Sequence, residues 1–369
     1  MSEFDGTAQD SERAVDRRGV LKLLALPVAA APLWFLWVAG GADDEAVPNW
    51  LEYAVSPRVR WVTEDRYEMS PGVGDGALYV GDREGVLRAL STAGGREQWS
   101  FDTGIGLDGD FVAQPTAAGD TVYVAALNGS LYAVDTSDGT ERWRVATAGQ
   151  NVTAPVVTDD AVYVASGRTV HAFERSDGAE RWRLDTGHHI DGAPTVADGT
   201  VYVGSDETVY ALSTADGAER WTQTTFDGVT SGPTVADGTV YVGRRDGVHA
   251  LSAADGSERW VAEDVAATYR PAAGDGRVYA ASLAGPLVAL DAADGRVAWR
   301  FEGAEAMQTP PVAVDGTVYA GAGDTSRIHA VDGADGTERW SFPAVGTPVV
   351  ADGSVYVNAK TALFALEAD

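Results

Sequence analysis

The sequence predicts an all-β fold, namely an eight-bladed β-propeller of four-stranded blades. Three observations lead to this prediction. A proline and a tyrosine eight residues apart recur eight times along the chain. A polar turn that ends in a tryptophan recurs with a period of about 39 residues. The apolar runs between these landmarks have the length of strands, and each is too short for a helix.

The proline-to-tyrosine segment predicts the two inner strands of each blade, which we name A and B from the central channel outward. Proline cannot donate to a sheet ladder, so it fits the first residue of an A strand beside the channel. The Asp-Gly pair that often follows supplies the positive φ of a tight hairpin. The tyrosine lies in apolar runs such as TVYVAA, as expected of a strand covered on both faces. The eight pairs are Pro71–Tyr79, Pro115–Tyr123, Pro155–Tyr163, Pro194–Tyr202, Pro233–Tyr241, Pro271–Tyr279, Pro311–Tyr319 and Pro348–Tyr356.

The tryptophan motif, for example VDTSDGTERW at residues 134–143, predicts the turn between strands C and D. Asp135 and Asp138 could instead ligate calcium, but a calcium loop needs acidic residues at alternate positions around a central glycine. Turn chemistry accounts for the motif: Asp138 and Gly139 form the hairpin, and Glu141 is predicted to pair with Arg142 across a solvated edge. Because nearly every repeat carries this turn, we interpret it as scaffolding.

The phase of the repeats predicts how the ring closes. The eight tryptophan strands contain Trp61, Trp99, Trp143, Trp182, Trp221, Trp260, Trp299 and Trp340. The first, VRWVT, precedes every proline-to-tyrosine segment, and the last such segment has no tryptophan after it. The strand around Trp61 is therefore predicted to serve as strand D of the last blade, which removes an open sheet edge.

The repeat resembles the pyrroloquinoline quinone (PQQ)-type propeller repeat, whose unit is similar to VYVGSxDGxLYALDAxTGxxxW. The pattern is present as VYVGSDETVYALSTADGAERW at residues 201–221 and as VYVAALNGSLYAVDTSDGTERW at residues 122–143. The resemblance covers about residues 59–368 and recurs eight times. It implies the propeller fold, and it implies either a quinoprotein dehydrogenase or a smaller protein-binding member of the family.

The composition restricts the partners of the protein. The formal net charge is −28, and the only lysines are Lys22 and Lys360. Such a field repels polyanions, so nucleic acid and anionic lipid are not expected partners of the propeller. The composition resembles that of proteins from salt-loving archaea, although an acidic protein of an ordinary organism would share it. With no cysteine in the chain, disulfides, thiolate metal sites and thiol nucleophiles are excluded.

The N-terminus is predicted to direct export. Residues 16–22, DRRGVLK, resemble a twin-arginine signal within a cytoplasmic segment of residues 1–22. Residues 23–42 carry no charge, and twenty residues are long enough to span a bilayer. They either remain as a membrane anchor or are cleaved after a small-residue stretch. Residues 43–57 read as a linker, and residues 58–369 as the propeller, placed outside the cell.

The crossovers between blades are the predicted location of a binding site. The interval from each tryptophan to the next proline runs 10, 16, 12, 12, 12, 11, 12 and 8 residues, whereas the proline-to-tyrosine interval is constant. The D-to-A crossovers and B-to-C turns share one face of a propeller, where a rigid scaffold carries its binding residues. The candidate ligand-binding residues there are Gln114, His188, His189, Asp191, Arg244, Arg245, Tyr269, Arg270 and Gln308.

Each group of candidates has a plainer interpretation. His188, His189 and Asp191 could bind zinc or copper, but no further convergent ligand is identifiable, so we expect exposed loop histidines and predict no metal site. Arg244, Arg245 and Arg270 could seat an anion, and surface ion pairs explain them about as well. Gln308 lies between Met307 and Thr309 in the crossover that leads to Pro311.

We predict a scaffold that binds a protein partner at the cell surface, with a monomeric propeller. The alternative is a PQQ-dependent dehydrogenase, which would need PQQ and calcium; no cofactor is predicted otherwise. The dehydrogenases that the resemblance implies are longer, roof the site with insertions between blades and often stack a disulfide on the quinone. No residue here can be matched to their calcium ligands or base. Glycan binding or a lyase-like activity at the channel mouth stays open as a third class.

Overall fold

The prediction of an eight-bladed propeller is confirmed. The computed structural model describes the backbone of residues 15–16, and residues 56–368 except for 64–66, 68, 83, 105–112, 127, 148, 150–151, 225–227, 230, 245–246, 264, 345 and 360–361. Within these residues the chain forms eight antiparallel sheets arranged around a central channel. In blades 1 to 7 the strand order is A-B-C-D, with short A strands that contact one another around the channel.

The first four blades contain sixteen strands. Blade 1 comprises β3 (Gly72–Gly74), β4 (Ala77–Gly81), β5 (Val86–Ser91) and β6 (Glu97–Asp102). Blade 2 comprises β7 (Thr116–Ala118), β8 (Thr121–Ala125), β9 (Ser130–Asp135) and β10 (Glu141–Ala146). Blade 3 comprises β11 (Val156–Val157), β12 (Ala161–Ser166), β13 (Thr169–Glu174) and β14 (Glu180–Asp185). Blade 4 comprises β15 (Thr195–Ala197), β16 (Thr200–Ser205), β17 (Thr208–Ser213) and β18 (Glu219–Thr224).

The other four blades complete the ring. Blade 5 comprises β19 (Thr234–Ala236), β20 (Thr239–Gly243), β21 (Gly247–Ser252) and β22 (Glu258–Glu263). Blade 6 comprises β23 (Ala272–Gly274), β24 (Arg277–Ser282), β25 (Gly285–Asp291) and β26 (Val297–Arg300). Blade 7 comprises β27 (Val312–Val314), β28 (Thr317–Ala322), β29 (Arg327–Asp332) and β30 (Glu338–Phe342). Blade 8 comprises β31 (Val349–Ala351), β32 (Ser354–Ala359), β33 (Ala362–Glu367) and β2 (Val59–Thr63), and a short β1 (Val15–Asp16) pairs outside β2.

The ring closes as predicted, through the N-terminal strand β2. It pairs antiparallel with β33, in a register that places Trp61 opposite Ala365 and Thr63 opposite Leu363. Trp61 packs against Tyr356 of blade 8 and also against blade 1, where it joins Leu78 in one buried cluster. The two ends of the described propeller are thus held in a single sheet, which leaves no open edge on strand β33.

The core lies between the blades. Strands B are apolar along nearly their whole length and almost entirely buried, as predicted for strands covered by a neighbour on both faces. The cluster between blades 1 and 2 shows the pattern, because Tyr79 and Trp99 of blade 1 pack against Val122 and Tyr132 of blade 2. Repetition of such clusters around the ring buries each blade on its neighbours, as in other repeat architectures.

Each strand-D tryptophan binds the next blade through a contact that we call the tryptophan latch. In seven of the eight cases the indole Nε1–H donates to a backbone carbonyl in the following C-D turn, for example from Trp99 to Thr136 at 2.8 Å, whereas Trp340 donates to Ala368 after β33. The Trp99 ring also lies on the turn glycine: a Cβ added to Gly139 would be 2.6 Å from Trp99 Cε3. The eight indole donors are Trp61, Trp99, Trp143, Trp182, Trp221, Trp260, Trp299 and Trp340.

The carboxylates of the C-D turn are structural, as the sequence suggested. Asp135 accepts from the backbone N–H and hydroxyl of Ser137 at 2.8 and 2.6 Å. Hydrogen bonds from Ser137, and then from Arg142, lower the pKa of Asp135 to about 2. The predicted pair between Glu141 and Arg142 is wrong. Arg142 instead reaches back to Asp135 at 2.6 Å, and it also binds Asp120 of the A-B turn at 2.8 Å.

Apart from Asp16, which lies in β1, and residues 56–57, three predictions on the N-terminal segment fall outside the described residues. These are the twin-arginine motif, the apolar segment 23–42 and most of the linker. In the part of the chain that is described, no helix combines the length and apolar character needed to cross a membrane.

Replacing Trp61 by alanine should weaken the ring at its seam, by which we mean the pairing of β2 with β33. Trp61 is 2% exposed, and truncation of a buried tryptophan typically costs about 3–5 kcal/mol of unfolding free energy. Trp221 makes the same latch inside a continuous blade, so Trp221→Ala is the matched control. Both variants should lose stability in urea, but only Trp61→Ala should accelerate amide exchange in β2 beyond that of the other D strands. Equal exchange of β2 in the two variants would contradict closure through this strand.

Alanine at a latch glycine should cost more than alanine at an open glycine with the same backbone conformation. Gly256 has φ +74° with Trp221 Cε3 2.6 Å from its added Cβ, whereas Gly276 has φ +71° with no atom within 4 Å. Both substitutions carry the left-handed penalty of about 1–2 kcal/mol. Gly256→Ala should lose a further ~1–3 kcal/mol through overlap with the indole. Chemical denaturation measures the difference, and equal losses would refute the latch.

Candidate functional site

The D-to-A crossovers and the B-to-C turns lie on one face of the propeller, which we call the crossover face. The backbone N–H of Asp206 in a B-C turn donates to the carbonyl of His189 in a crossover at 3.2 Å. In the same way Met307 donates to Ser282 at 3.0 Å. These contacts confirm that both kinds of loop share a face, on which the candidate residues can be located.

The channel opens on the crossover face where the A strands begin. Three threonines directly follow a repeat proline, and each donates its hydroxyl proton to the carbonyl of the repeat proline in the next blade. The Oγ1-to-carbonyl distances are 2.7 Å for Thr116, 2.5 Å for Thr195 and 2.5 Å for Thr234. At the channel mouth these hydrogen bonds link blade 2 to blade 3, blade 4 to blade 5 and blade 5 to blade 6.

Arg270 lies across this rim. Its Nε–H donates to Thr234 Oγ1 at 3.1 Å, and its Nη2 donates to Thr195 Oγ1 at 2.7 Å. The side chain is half-buried, and desolvation lowers the pKa of its guanidinium from the ordinary value. A guanidinium keeps its proton at neutral pH even so. The site thus presents a fixed positive charge, anchored on two neighbouring blades.

Three other candidates are neutral residues of the D-to-A crossovers. Gln114 is exposed and donates from Nε2 to the carbonyl of Pro71 at 2.9 Å. It lines a space of about 510 Å³ along the A strands of blades 1, 2 and 8. Gln308 is also exposed, and its backbone N–H donates to Gly321 at 2.8 Å. Tyr269 is partly buried, which raises the pKa of its phenol. Of these three, only Tyr269 adjoins Arg270 in the chain, whereas Gln114 lies with blades 1, 2 and 8.

The histidine pair does not converge on one point. His188 Nδ1 is 3.4 Å from Asp206 Oδ2, whereas His189 Nδ1 is 3.0 Å from Asp191 Oδ1. Both rings are more than half exposed. Over the described residues there is no group of three or more His, Cys, Asp or Glu that could hold a metal ion. The contacts are those of two separate surface pairs.

Arg244 lies apart from the channel mouth. It is 6% exposed, and its Nη1 is 3.2 Å from His249 Nδ1 within blade 5. The same ring nitrogen is 3.2 Å from Glu258 Oε2. The neighbouring Arg245 is outside the described residues. The structure thus places Arg244 in a buried polar cluster of one blade, separate from Arg270.

Sequence reasoning missed the threonines that hold Arg270. A signal was present, since threonine directly follows the proline in only three repeats, at Thr116, Thr195 and Thr234. Arg270 also stands out on inspection, because it is the only charged residue directly before a repeat proline. The other residues at that position are Ser70, Gln114, Ala154, Ala193, Gly232, Pro310 and Thr347. What the sequence could not show is that these side chains meet across different blades.

A second missed set consists of buried histidines on strands C. His171 Nδ1 lies 3.0 Å from Glu180 Oε1, and His329 Nδ1 lies 3.2 Å from Glu338 Oε1. The two side chains are 2% and 4% exposed. Burial lowers the pKa of both imidazoles, and the partner glutamates oppose that effect. These groups lie in the outer half of the blades, away from the channel, and affect stability rather than the candidate site.

A family comparison supports the repeat assignment. A family model described as outer membrane protein assembly factor BamB matches residues 83–168, 166–270 and 244–369. Among curated proteins, the serine/threonine-protein kinase AfsK of Streptomyces griseus is 36% identical over 106 residues. That match takes in 25% of this chain and 13% of the kinase, so the chain spans only a small part of that relative.

Solved structures show the same fold. BamB from Moraxella catarrhalis superposes with a TM-score of 0.72 at 19% identity, over 83% of this chain and 96% of that chain. The quinohemoprotein alcohol dehydrogenase of Comamonas testosteroni superposes with a TM-score of 0.64 at 16% identity, over 83% of this chain and 75% of that chain. At these identities the likeness is one of architecture.

Acidification should destabilise the protein through His171 and His329. Their folded pKa values lie below the ordinary 6.5, so in mildly acidic solution the unfolded chain binds more protons than the folded chain. Stability is therefore retained above pH 6.5 and is lost as the pH falls, by up to about 1.4 kcal/mol per pH unit for each histidine. The His171→Gln/His329→Gln variant should show a flatter fall in unfolding free energy between pH 7 and 5. The exposed pair His188→Gln/His189→Gln is the control and should keep the wild-type slope; the reverse pattern would contradict the assignment.

Proposed function

The chain belongs to the PQQ-like β-propeller repeat family described as outer membrane protein assembly factor BamB, and from this membership we propose that it is a scaffold that binds a protein partner. The observation that carries the proposal is the extent of the family match, which runs from residue 83 to residue 369. The solved BamB is covered over 96% of its chain. The propeller of this chain is thus equivalent in size to that of an assembly factor.

The crossover face is the proposed binding surface. Most large apolar side chains of the described residues are buried, and two are exposed: Leu283 at 55% and Val297 at 43%. Leu283 occupies the B-C turn of blade 6, on the same face and in the same blade as Arg270. Protein interfaces combine an apolar core with enriched arginine, and Leu283 and Arg270 supply both kinds of residue on one face of the same blade.

We place the scaffold at the cell surface on the basis of the N-terminal residues. Arg17, Arg18 and Lys22 precede the uncharged residues 23–42, as expected for a twin-arginine signal followed by an export or anchor segment. An acidic propeller that is exported already folded suits this route, because repeated inter-blade packing stabilises the fold without disulfides. In this proposal residues 23–42 attach the protein to the membrane, and the crossover face binds the partner.

A photo-crosslinking pair within blade 6 tests the proposal. A photoreactive amino acid at Leu283 on the crossover face should capture one reproducible protein in intact cells, which mass spectrometry identifies. The same group at Val297, on the outer strand D of that blade, is the matched control and should not capture it. Leu283→Asp should reduce co-purification of that protein at least about tenfold, whereas Val297→Asp should not.

A separate assay tests the alternative that the protein is an enzyme. Saturable binding of PQQ with calcium, together with dye-linked alcohol oxidation by the full-length protein, would replace the scaffold proposal. Equal crosslinking from Leu283 and Val297 would remove the crossover face as the binding surface.

A further inference from the structure

Arg270 is unusual because it is a charged residue at a position of the repeat that is otherwise uncharged. Seven of the eight repeats carry an uncharged residue directly before the proline of strand A, and the sixth blade carries Arg270. Every blade contributes this position to the same level of the channel, since each A strand begins there. A single cation therefore breaks the symmetry of an otherwise neutral rim.

The two threonines hold Arg270 in one orientation. Thr195 Oγ1 gives its proton to the carbonyl of Pro233, and Thr234 Oγ1 gives its proton to the carbonyl of Pro271. Each hydroxyl has only one proton, so it meets the guanidinium with its lone pairs. The carbonyls of Pro233 and Pro271 orient the two hydroxyls in turn. The charge is preorganised before any ligand arrives.

Not all N–H donors of Arg270 are used by the two threonines. A guanidinium carries five N–H groups, and two of them donate to Thr195 and Thr234. For the remaining three there is no partner within the part of the chain that the structure describes. Other arginines of this acidic chain have carboxylates at hand: Arg181 pairs with Asp160 and Arg339 with Asp332, each at 2.7 Å. A planar fork with free donors matches the two oxygens of a carboxylate or phosphate group.

The described acidic residues of the A-B turns lie too far away to neutralise Arg270. They occupy the A-B turns at the opposite end, for example Asp275 of the same blade, five residues along the strand from Arg270. At about 3.3 Å per extended residue this separation is roughly 16 Å. Charges separated by more than the Debye length of about 8 Å are largely screened at physiological ionic strength. The two ends of the channel are thus electrostatically distinct.

We propose that Arg270, positioned by Thr195 and Thr234, forms an oxyanion-binding site at the crossover end of the central channel, with a carboxylate or phosphate group as its ligand. The oxyanion accepts the free N–H donors of the guanidinium and compensates the cost of holding that charge partly away from water. Partial burial lowers the pKa of Arg270, which is the direction expected of a cation that lacks a counter-charge. The inference does not depend on the scaffold role, because a free anion would satisfy it equally.

Calorimetry on the full-length protein tests the site. Acetate, inorganic phosphate and a short aspartate-containing peptide are titrated separately at constant ionic strength and constant chloride. Saturable binding of at least one probe is expected, with affinity reduced about tenfold or more in Arg270→Gln. Arg270→Lys should lie between the two, since lysine keeps the charge but loses the planar fork.

A second arginine on the same face supplies the control. Arg168 lies in a B-C turn and already pairs with Asp185 at 3.0 Å, so Arg168→Gln removes the same charge without touching the channel mouth. Its affinity should remain within about twofold of wild type. Circular dichroism and the urea midpoint of each variant verify folding.

The outcomes separate the possible sources of the oxyanion. Binding of acetate or phosphate with this dependence on Arg270 identifies a small free anion, and binding of the peptide alone identifies a carboxylate carried by a protein; both support the site. Equal affinity in wild type and Arg270→Gln, an equal loss in Arg168→Gln, or no saturable binding of any probe would overturn it. Crosslinking at Leu283 can succeed or fail independently of all these results.

Discussion

The tryptophan latch is the contact on which the ring depends. A strand-D indole donates to a carbonyl in the next blade and lies flat on a turn glycine, as Trp221 does on Ala253 and Gly256. Two short-range requirements, a hydrogen-bond distance and van der Waals contact, together fix the spacing and angle between neighbouring blades. The indole hydrogen bond occurs eight times, seven of them with the glycine contact, and this repetition makes the blades equivalent and allows the ring to close.

The seam shows the same chemistry built from different residues. Trp61 donates to Thr92 of blade 1 at 2.7 Å, as any other latch does. Trp340 meets no C-D turn glycine, because strand D of blade 8 is the N-terminal β2 and no C-D turn follows β33; it donates instead to Ala368 at 3.0 Å. The guanidinium of Arg58 lies 4.9 Å from the centre of the Trp340 ring, where a cation is attracted to the aromatic face. At Trp340, Ala368 and Arg58 thus supply the contacts that a C-D turn supplies to the other tryptophans.

A ring fixed in this way leaves one face free to vary. The C-D turns carry the latches and the arginine-to-aspartate pairs, such as Arg142 with Asp135, so they repeat with little change. The crossovers carry none of these contacts and differ in length and chemistry from blade to blade. Arg270 and Leu283 both lie in these variable segments of blade 6, where the backbone N–H of Tyr269 in the crossover donates to the carbonyl of Ala281 in strand B at 3.3 Å. The contacts that stabilise the ring and the loops that vary between blades therefore lie on opposite faces.

The sequence by itself determined the architecture, since the interval from Pro71 to Tyr79 and the tryptophan motif report strand lengths and turns that are local along the chain. It also indicated closure through Trp61, because a phase offset between repeats can be counted. Only the tertiary structure decided the site. Arg270 meets Thr195 across 75 positions of sequence, and Arg244 is buried although it reads like a surface residue. Contacts between blades depend on the curvature of the whole ring, which no single repeat encodes, so the residues that meet at the channel mouth emerge only when all eight wedges are in place.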